Sequence, residues 1–223
     1  SRLAPGQCSL VGHPHTSGIS TIDYFISEDL CQAPGSEALF SERLVRLRTN
    51  VTSYHRPPEP EPKTRAELGL PAQGNIYLCP QTLFKMHPKM DEIFLKILER
   101  DPNGFVVISK GENICWFERL QERLNKSLAP VLDRLIALPR MGFYTYMALL
   151  THARVILDTH PFGGGNTIFQ SLALGIPNVG LVGETYPSRV LYSCLKKMNF
   201  LDLIAKDVDD YVDKAVRLAT DDA

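Results

Sequence analysis

The sequence has few of the features that mark disulfide scaffolds, zinc proteins, membrane proteins or nucleic-acid binders. Its five cysteines are odd in number and never form a C-x-x-C pair, which favours a reducing, cytoplasmic location over a disulfide framework or a zinc site. No apolar run approaches the roughly 20 residues that span a bilayer, so no membrane partner is expected. The formal net charge is -1, and nucleic acid is therefore not an expected partner either.

Two common phosphate-binding signatures are also absent, because the chain contains neither G-x-G-x-x-G nor G-K-[ST]. An acidic pair at Asp207 and Asp209 has the spacing used by metal-dependent transferases. It opens a predicted helix, however, where acidic residues are expected as caps. We therefore expect no metal and no other cofactor.

The most informative pattern lies between residues 155 and 189. Val155-Ile156-Leu157 is a short apolar run typical of a buried strand, and three consecutive glycines follow it closely. Asn166 and Thr167 are residue types that favour helix N-caps, and apolar residues then repeat at helical spacing. The pattern predicts a βαβ unit with a glycine loop before its helix. Such a loop suits an anion, although an ordinary tight turn has the same composition.

The chain divides at a proline-rich segment. Residues 1–53 contain three short strand candidates and resemble the end of a sheet domain. Residues 54–66 hold four prolines and predict an extended linker between lobes, with a proline-rich recognition motif as the alternative. In residues 67–223 strands and helices alternate, which predicts an α/β lobe with a parallel, doubly wound, Rossmann-like sheet.

Ligands of such sheets bind outside the carboxyl ends of the strands. The loops at that edge fall within residues 79–85, 139–143, 158–167 and 183–189, and each carries polar groups suited to a nucleotide. Lys85 and the helix N-terminus could stabilise charge on a departing phosphate, although a lone lysine is commonly a solvated surface group. His13 and His15 stand in a turn-rich loop, where they could contact an acceptor or a phosphate or simply be exposed.

Several short motifs occur together in the order found in one glycosyltransferase family. Among them are Gly12-His13-Pro14-His15-Thr16-Ser17-Gly18, Gln81-Thr82-Leu83-Phe84-Lys85, Leu157-Asp158-Thr159 and Gly183-Glu184-Thr185. In this order they resemble the O-GlcNAc transferase family (glycosyltransferase family 41) over nearly the whole chain. The resemblance implies the C-terminal lobe of a GT-B fold, preceded by the end of the N-terminal lobe.

The resemblance also implies an activity. It is the inverting, metal-independent transfer of GlcNAc from UDP-GlcNAc to Ser or Thr hydroxyls of a protein or peptide acceptor. Because the family includes bacterial N-glucosyltransferases and plant O-fucosyltransferases, UDP-glucose and GDP-fucose are alternative donors. A non-catalytic nucleotide-binding scaffold is the alternative function. The family's N-lobe histidines and tetratricopeptide repeats precede the matching segment, so we expect a fragment that transfers little sugar by itself.

Loop position and resemblance together assign the residues of the site. Lys85 is expected to stabilise the leaving group, with His13 and His15 as further catalytic candidates. The expected donor-binding residues are Gln81, Thr82, Lys85, Arg140, Met141, Phe143, Tyr146, Gly164, Gly165, Asn166, Thr167, Gln170, Glu184, Thr185 and Arg189. Animal members of the family differ at several of these positions, with histidine at Gly165 and an acidic residue at Gln170. The Gly-Gly-Asn-Thr form resembles bacterial members.

Overall fold

The computed structural model describes residues 2–221 and contains two parallel sheets. The smaller sheet, with order β1-β2-β3, comprises β1 (Cys8–Leu10), β2 (Tyr24–Glu28) and β3 (Arg43–Leu47). The larger sheet has six strands in the order β6-β5-β4-β7-β8-β9. Its strands are β4 (Asn75–Cys79), β5 (Gly104–Ser109), β6 (Leu135–Leu138), β7 (Val155–Leu157), β8 (Asn178–Leu181) and β9 (Ile204–Ala205).

Helices connect the strands of the larger sheet. They are α1 (Pro88–Arg100), α2 (Ile114–Ser127), α3 (Phe143–Leu150), α4 (Asn166–Ala173), α5 (Val190–Lys197) and α6 (Val208–Thr220). The predicted alternation is confirmed, and the element bounds differ from the predicted ones by a few residues. Counted from β4, the strand order is 3-2-1-4-5-6, which is the Rossmann order. Within the described residues, no helix is long and apolar enough to cross a membrane.

The core explains why both faces of the larger sheet are covered. Successive side chains of a strand point to opposite faces. Tyr77 and Cys79 are fully buried in the cluster that contains the apolar stripes of α1 and α6. Ile76 and Leu78 are buried in a second cluster, which includes apolar residues of α3. Because both faces are buried, consecutive residues of these strands are apolar, as expected for a doubly wound sheet.

The sequence Thr64-Arg65-Ala66-Glu67 has the pattern of a capping box and predicts a short helix, but the structure forms only a turn here. Thr64 and Glu67 make the reciprocal hydrogen bonds of a capping box, with 3.3 Å from the Glu67 N–H to the Thr64 hydroxyl and 2.7 Å in return. The chain nevertheless continues only as a hydrogen-bonded turn through Gly69, whose φ of 70° ends the helical path. Because Pro71 follows immediately, the segment is too short to add a further helical turn.

The smaller sheet packs on α4 and α5 of the larger lobe. Cys31 is fully buried with apolar residues of both helices. The carboxylate of Glu28, itself buried, accepts hydrogen bonds of 3.2 Å from Ser193 and from Lys197 on α5. The linker also contacts the lobe, since the ring of Tyr54 stacks on Phe169 with centroids 5.0 Å apart. The domain boundaries at residues 53 and 66 remain predictions.

Candidate functional site

The candidate site lies where the sheet changes direction. Strands β4 and β7 are neighbours, but the chain leaves them towards opposite edges of the sheet, because β5 lies on one side and β8 on the other. The loops after the two strands therefore diverge and leave a crevice at their carboxyl ends. Residues 80–85 form one wall of this crevice, and residues 158–165 form the other.

Lys85 joins the two walls. It ends a short 3-10 helix, Leu83–Lys85, and its ammonium donates hydrogen bonds to the carbonyl oxygen of Gly163 at 2.7 Å and to Oε1 of Gln81 at 3.1 Å. The ammonium also lies 4.8 Å from the ring centroid of Phe162, a cation–π distance. These contacts fix a partly buried cation at the centre of the crevice.

The ammonium of Lys85 contacts neutral groups. Among residues 2–221, no carboxylate forms an ion pair with its ammonium. Burial lowers the pKa of Lys85, and the nearby charge of Asp158 opposes that shift. A half-buried ammonium that contacts only neutral oxygens and a ring is well suited to an anionic ligand.

The glycine loop supplies N–H donors beside this ammonium, but they do not come from Gly163 and Gly164. The N–H of Gly163 donates to Pro187, and that of Gly164 donates to the carboxylate of Asp158 at 2.7 Å. The next three N–H groups, at residues 165–167, have no acceptor within the described part of the chain. The N-cap is Gly165, so the prediction that Asn166 or Thr167 caps α4 is wrong. The hydroxyl of Thr167 instead accepts from Gln81 at 2.8 Å.

Packing explains two of the three glycines. A Cβ on Gly163 would lie 2.7 Å from Oδ2 of Asp158, and a Cβ on Gly164 would lie 2.5 Å from the hydroxyl of Thr167. Neither distance is possible unless the loop or these side chains shift. A Cβ on Gly165 would meet no atom within 4 Å. Gly165 is therefore not required by the packing of the protein itself.

A cavity of about 550 Å³ opens above these groups. It lies between the two sheets, so the smaller sheet forms part of its wall. The residues that line it from the larger lobe include Gln81, Thr82, Lys85, Phe162, Gly163, Gly164, Gly165, Asn166 and Thr167, and those from the N-terminal side include Val11, Gly12, Pro14 and Thr52. Seven of the predicted donor-binding residues thus meet in one place.

A second, smaller cavity of about 110 Å³ lies at the ends of β4, β5 and β6. Three predicted donor-binding residues line it, namely Arg140, Met141 and Tyr146. The hydroxyl of Tyr146 is buried and has no hydrogen-bond partner among the described residues. A buried polar atom without a partner is costly and suggests a ligand contact at this position. Phe143 lies outside this cavity, with its ring edge-on to Tyr144.

Four further predicted residues do not line either cavity. Gln170 is half-buried on α4, and Glu184 and Thr185 are exposed in the loop after β8. Arg189 is engaged in structure, because its guanidinium donates to the carbonyl oxygens of Leu30 and Gly183 and lies over the ring of Tyr192. Arg189 therefore links the segment after β2 to the loop after β8 through hydrogen bonds. Its position in the sequence alone did not indicate this role.

The loop with the two histidines lies at the rim of the larger cavity. His13 and His15 are exposed and pack edge-on with ring centroids 5.5 Å apart, while the intervening Pro14 lines the cavity. Buried Glu42 holds this loop by accepting hydrogen bonds from the Thr16 hydroxyl at 2.6 Å and from the backbone N–H and hydroxyl of Ser17. Burial alone would raise the pKa of Glu42, but these hydrogen bonds lower it to about 2.

Sequence reasoning missed two residues of the site. The ring of Phe162 makes a cation–π contact with the ammonium of Lys85. The carboxylate of Asp158 accepts a hydrogen bond from the N–H of Gly164 in the glycine loop. The available signal was their position, since both lie between a buried strand and a glycine loop. The acidic pair near the end is not part of the site. Asp207 caps α6 through the N–H of Asp210, and Asp209 pairs with Lys96.

The strand order and the crevice define a Rossmann-like α/β lobe. Residues 49–223 match the family model described as glycosyl transferase family 41, and the chain belongs to this family. The resemblance found in the motifs is thereby confirmed.

Similar proteins extend the match over nearly the whole chain. The probable UDP-N-acetylglucosamine–peptide N-acetylglucosaminyltransferase SPINDLY of Arabidopsis thaliana is 30% identical over 227 residues, which cover 99% of this chain and 24% of the relative. The UDP-glucose:protein N-β-glucosyltransferase of Actinobacillus pleuropneumoniae serotype 7 (strain AP76) is 31% identical over 98% of this chain and 35% of the relative. The chain thus spans about a quarter to a third of the length of these two relatives.

A solved structure agrees with this assignment. A mutant of the O-GlcNAc transferase of Thermobaculum terrenum superposes with a TM-score of 0.84 at 25% identity. The match covers 98% of this chain and 41% of that structure. The smaller sheet and the six-stranded lobe therefore have a joint counterpart in a known glycosyltransferase.

Proposed function

We propose that this chain forms the donor-binding part of a protein glycosyltransferase. In this proposal, the diphosphate of a nucleotide sugar lies in the larger cavity and the base lies in the smaller one. One observation carries the proposal: the ammonium of Lys85 and the free N–H groups at the start of α4 border the same 550 Å³ cavity. Both are donors that suit phosphate oxygens.

The same groups support a reaction mechanism. Glycosyl transfer from a nucleoside diphosphate leaves negative charge on the departing phosphate. Fixed donors that face this charge lower the barrier, because they need no reorganisation when the charge develops. Lys85 and the N–H groups of residues 165–167 are such donors. A bound metal is therefore not needed in the mechanism, which we take to be metal-independent and inverting.

The donor that we favour is UDP-GlcNAc, with Ser or Thr hydroxyls of proteins as acceptors. The Arabidopsis relative is named for this sugar nucleotide, whereas the Actinobacillus relative is named for UDP-glucose. We therefore rank both UDP sugars above GDP-fucose, and we place the protein in the cytoplasm.

The acceptor would approach from the side of the smaller sheet. The histidine loop and Thr52 face the glycine loop across the larger cavity, so the transferred sugar would lie between them. His13 and His15 flank this position and remain the candidates for contact with the acceptor.

A titration of the purified chain tests the proposal. UDP, UDP-GlcNAc, UDP-glucose and GDP-fucose are each titrated by calorimetry in the presence of EDTA. We expect UDP and at least one UDP sugar to bind under these conditions, and GDP-fucose to bind at least about tenfold more weakly. Binding that requires added Mg²⁺ would refute metal independence. No binding of any nucleotide would refute the proposed donor site.

A further inference from the structure

Asp158 is a buried carboxylate beside the glycine loop. It directly follows β7 and is 4% exposed. Its Oδ1 accepts the N–H of Gly164 at 2.7 Å, and its backbone carbonyl accepts the hydroxyl of Tyr211 at 3.0 Å. No lysine or arginine among residues 2–221 forms an ion pair with it. Because a buried carboxylate is costly, this arrangement calls for a functional account.

Asp158 and Lys85 hold opposite ends of one peptide group. The Gly163–Gly164 peptide donates its N–H to Asp158 and accepts the ammonium of Lys85 on its carbonyl oxygen, with both distances at 2.7 Å. The carboxylate thereby orients the peptide plane, and the plane in turn positions the lysine. A peptide between an anion and a cation is also polarised by both, which strengthens each hydrogen bond.

We propose that Asp158 is a positioning residue for donor binding, which acts through the Gly163–Gly164 peptide group to hold Lys85 and the start of α4 in place for a diphosphate. The inference rests on the proposed function. Without Asp158, the N–H of Gly164 would lose its acceptor and the peptide could rotate. Rotation would remove the carbonyl oxygen from Lys85 and change the direction of the following N–H groups.

The charge of Asp158 has a second effect, on the protonation of Lys85. Burial raises the pKa of Asp158 to about 6, while the Gly164 N–H and Lys85 act against that shift. The carboxylate is therefore charged above about pH 6, where it supports the ammonium form of Lys85. The other titratable groups that interact with it are Cys79 on β4, Cys194 on α5 and Tyr211 on α6. Burial raises the pKa of all three, so they remain neutral near pH 7.

Two substitutions separate position from charge. Asp158→Ala removes the acceptor for Gly164, and we expect about tenfold weaker binding of UDP-glucose or UDP-GlcNAc with uridine binding little changed. Asp158→Asn keeps an acceptor oxygen but not the charge. It should match the wild type near pH 5, where the wild-type carboxyl is protonated, and bind more weakly than the wild type as pH rises to 9. UDP sugars are used because their diphosphate does not titrate in this range.

Matched controls distinguish the outcomes. Asp101 is a buried carboxylate at the opposite end of β4, where it accepts from Tyr77. Asp101→Asn should lower the melting temperature without changing the ratio of UDP-sugar to uridine affinity. Equal loss of uridine and UDP-sugar binding in Asp158→Ala, or no loss, would overturn the positioning role. If Asp158→Ala does not fold, Asp158→Asn provides the test. An affinity of Asp158→Asn for UDP sugars that stays in a constant ratio to the wild-type affinity from pH 5 to 9 would overturn the inference.

The failure of the inference differs from that of the proposed function. If wild-type protein binds no UDP sugar, the donor site itself is refuted and this inference with it. If wild-type protein binds and Lys85→Ala does not, while both Asp158 variants bind normally at every pH, only the role of Asp158 is refuted.

Discussion

The side-chain amide of Gln81 donates a hydrogen bond of 2.8 Å to the hydroxyl of Thr167, which lies 86 residues later in the chain. This contact joins the loop after β4 to the first turn of α4. The same Gln81 accepts from Lys85 through its other amide atom, so its orientation is determined from both sides. The proposed phosphate site is therefore held in place by the protein before any ligand binds, which reduces the ordering cost of binding.

Substitution of Lys85 tests whether its ammonium contacts the diphosphate. We expect Lys85→Ala to weaken UDP binding by tenfold or more, because a charge-assisted hydrogen bond contributes about 1.5–3 kcal/mol. Uridine, which has no phosphate, should bind almost as before. Calorimetric titration of both ligands measures the difference. Lys89→Ala is the control, since Lys89 is an exposed lysine on α1 that lines neither cavity. Equal losses for UDP and uridine would place Lys85 away from the phosphates.

The neighbouring glycines should respond differently to the same methyl group. In Gly164→Ala the new Cβ meets Thr167 and Gln81 at 2.5 and 2.8 Å, so we expect a stability loss of about 1–3 kcal/mol. In Gly165→Ala the Cβ has open space, so the protein should melt like the wild type. The methyl would nevertheless lie on the wall of the larger cavity, and we expect clearly weaker UDP binding. Thermal melts measure the stability of both variants, and titrations measure their UDP affinity. Normal UDP binding by Gly165→Ala would contradict the assigned phosphate position.

Part of this site could be predicted from local patterns. The apolar run at Val155–Leu157, the glycines after it and the periodic helix that follows predict the βαβ unit, and the structure has it. These signals arise from residues that are close in sequence. The position of the loop at the carboxyl edge then follows from the strand order that alternating elements adopt.

Other features depend on contacts between distant residues. Cys31 and Glu28 bind α5 through residues more than 150 positions later, and nothing near either residue indicates this. Similarly, the N–H of Gly164 is turned towards Asp158 rather than towards the cavity, although the glycine run alone suggests that all its N–H groups are free. Glycine composition shows that a loop can adopt many backbone conformations, but contacts with neighbouring side chains determine the direction of each peptide N–H.

The stability contributed by Glu42 should depend on pH. Hydrogen bonds hold its pKa at about 2, below the ordinary value of 4.5, so its stabilisation is present above about pH 4.5 and is lost as pH falls towards 2. Glu42→Gln should lower the melting temperature at pH 7, because an amide cannot accept all the donors of Thr16 and Ser17. The difference from the wild type should shrink below pH 4. Melting curves from pH 3 to 8 test this, and a constant difference would show that the charge is not involved.

Tyr146 should affect stability and affinity in opposite directions. Its hydroxyl is buried without a partner among the described residues, and an unsatisfied group of this kind costs about 1–3 kcal/mol. Tyr146→Phe should therefore raise the melting temperature of the free protein by a few degrees. If the hydroxyl contacts the base, the same change should weaken uridine and UDP binding about three- to tenfold. Tyr144→Phe is the matched control, because Tyr144 lies on the same helix with its side chain exposed. A Tyr146→Phe protein that binds uridine as tightly as the wild type would show that the Tyr146 hydroxyl does not contact the base.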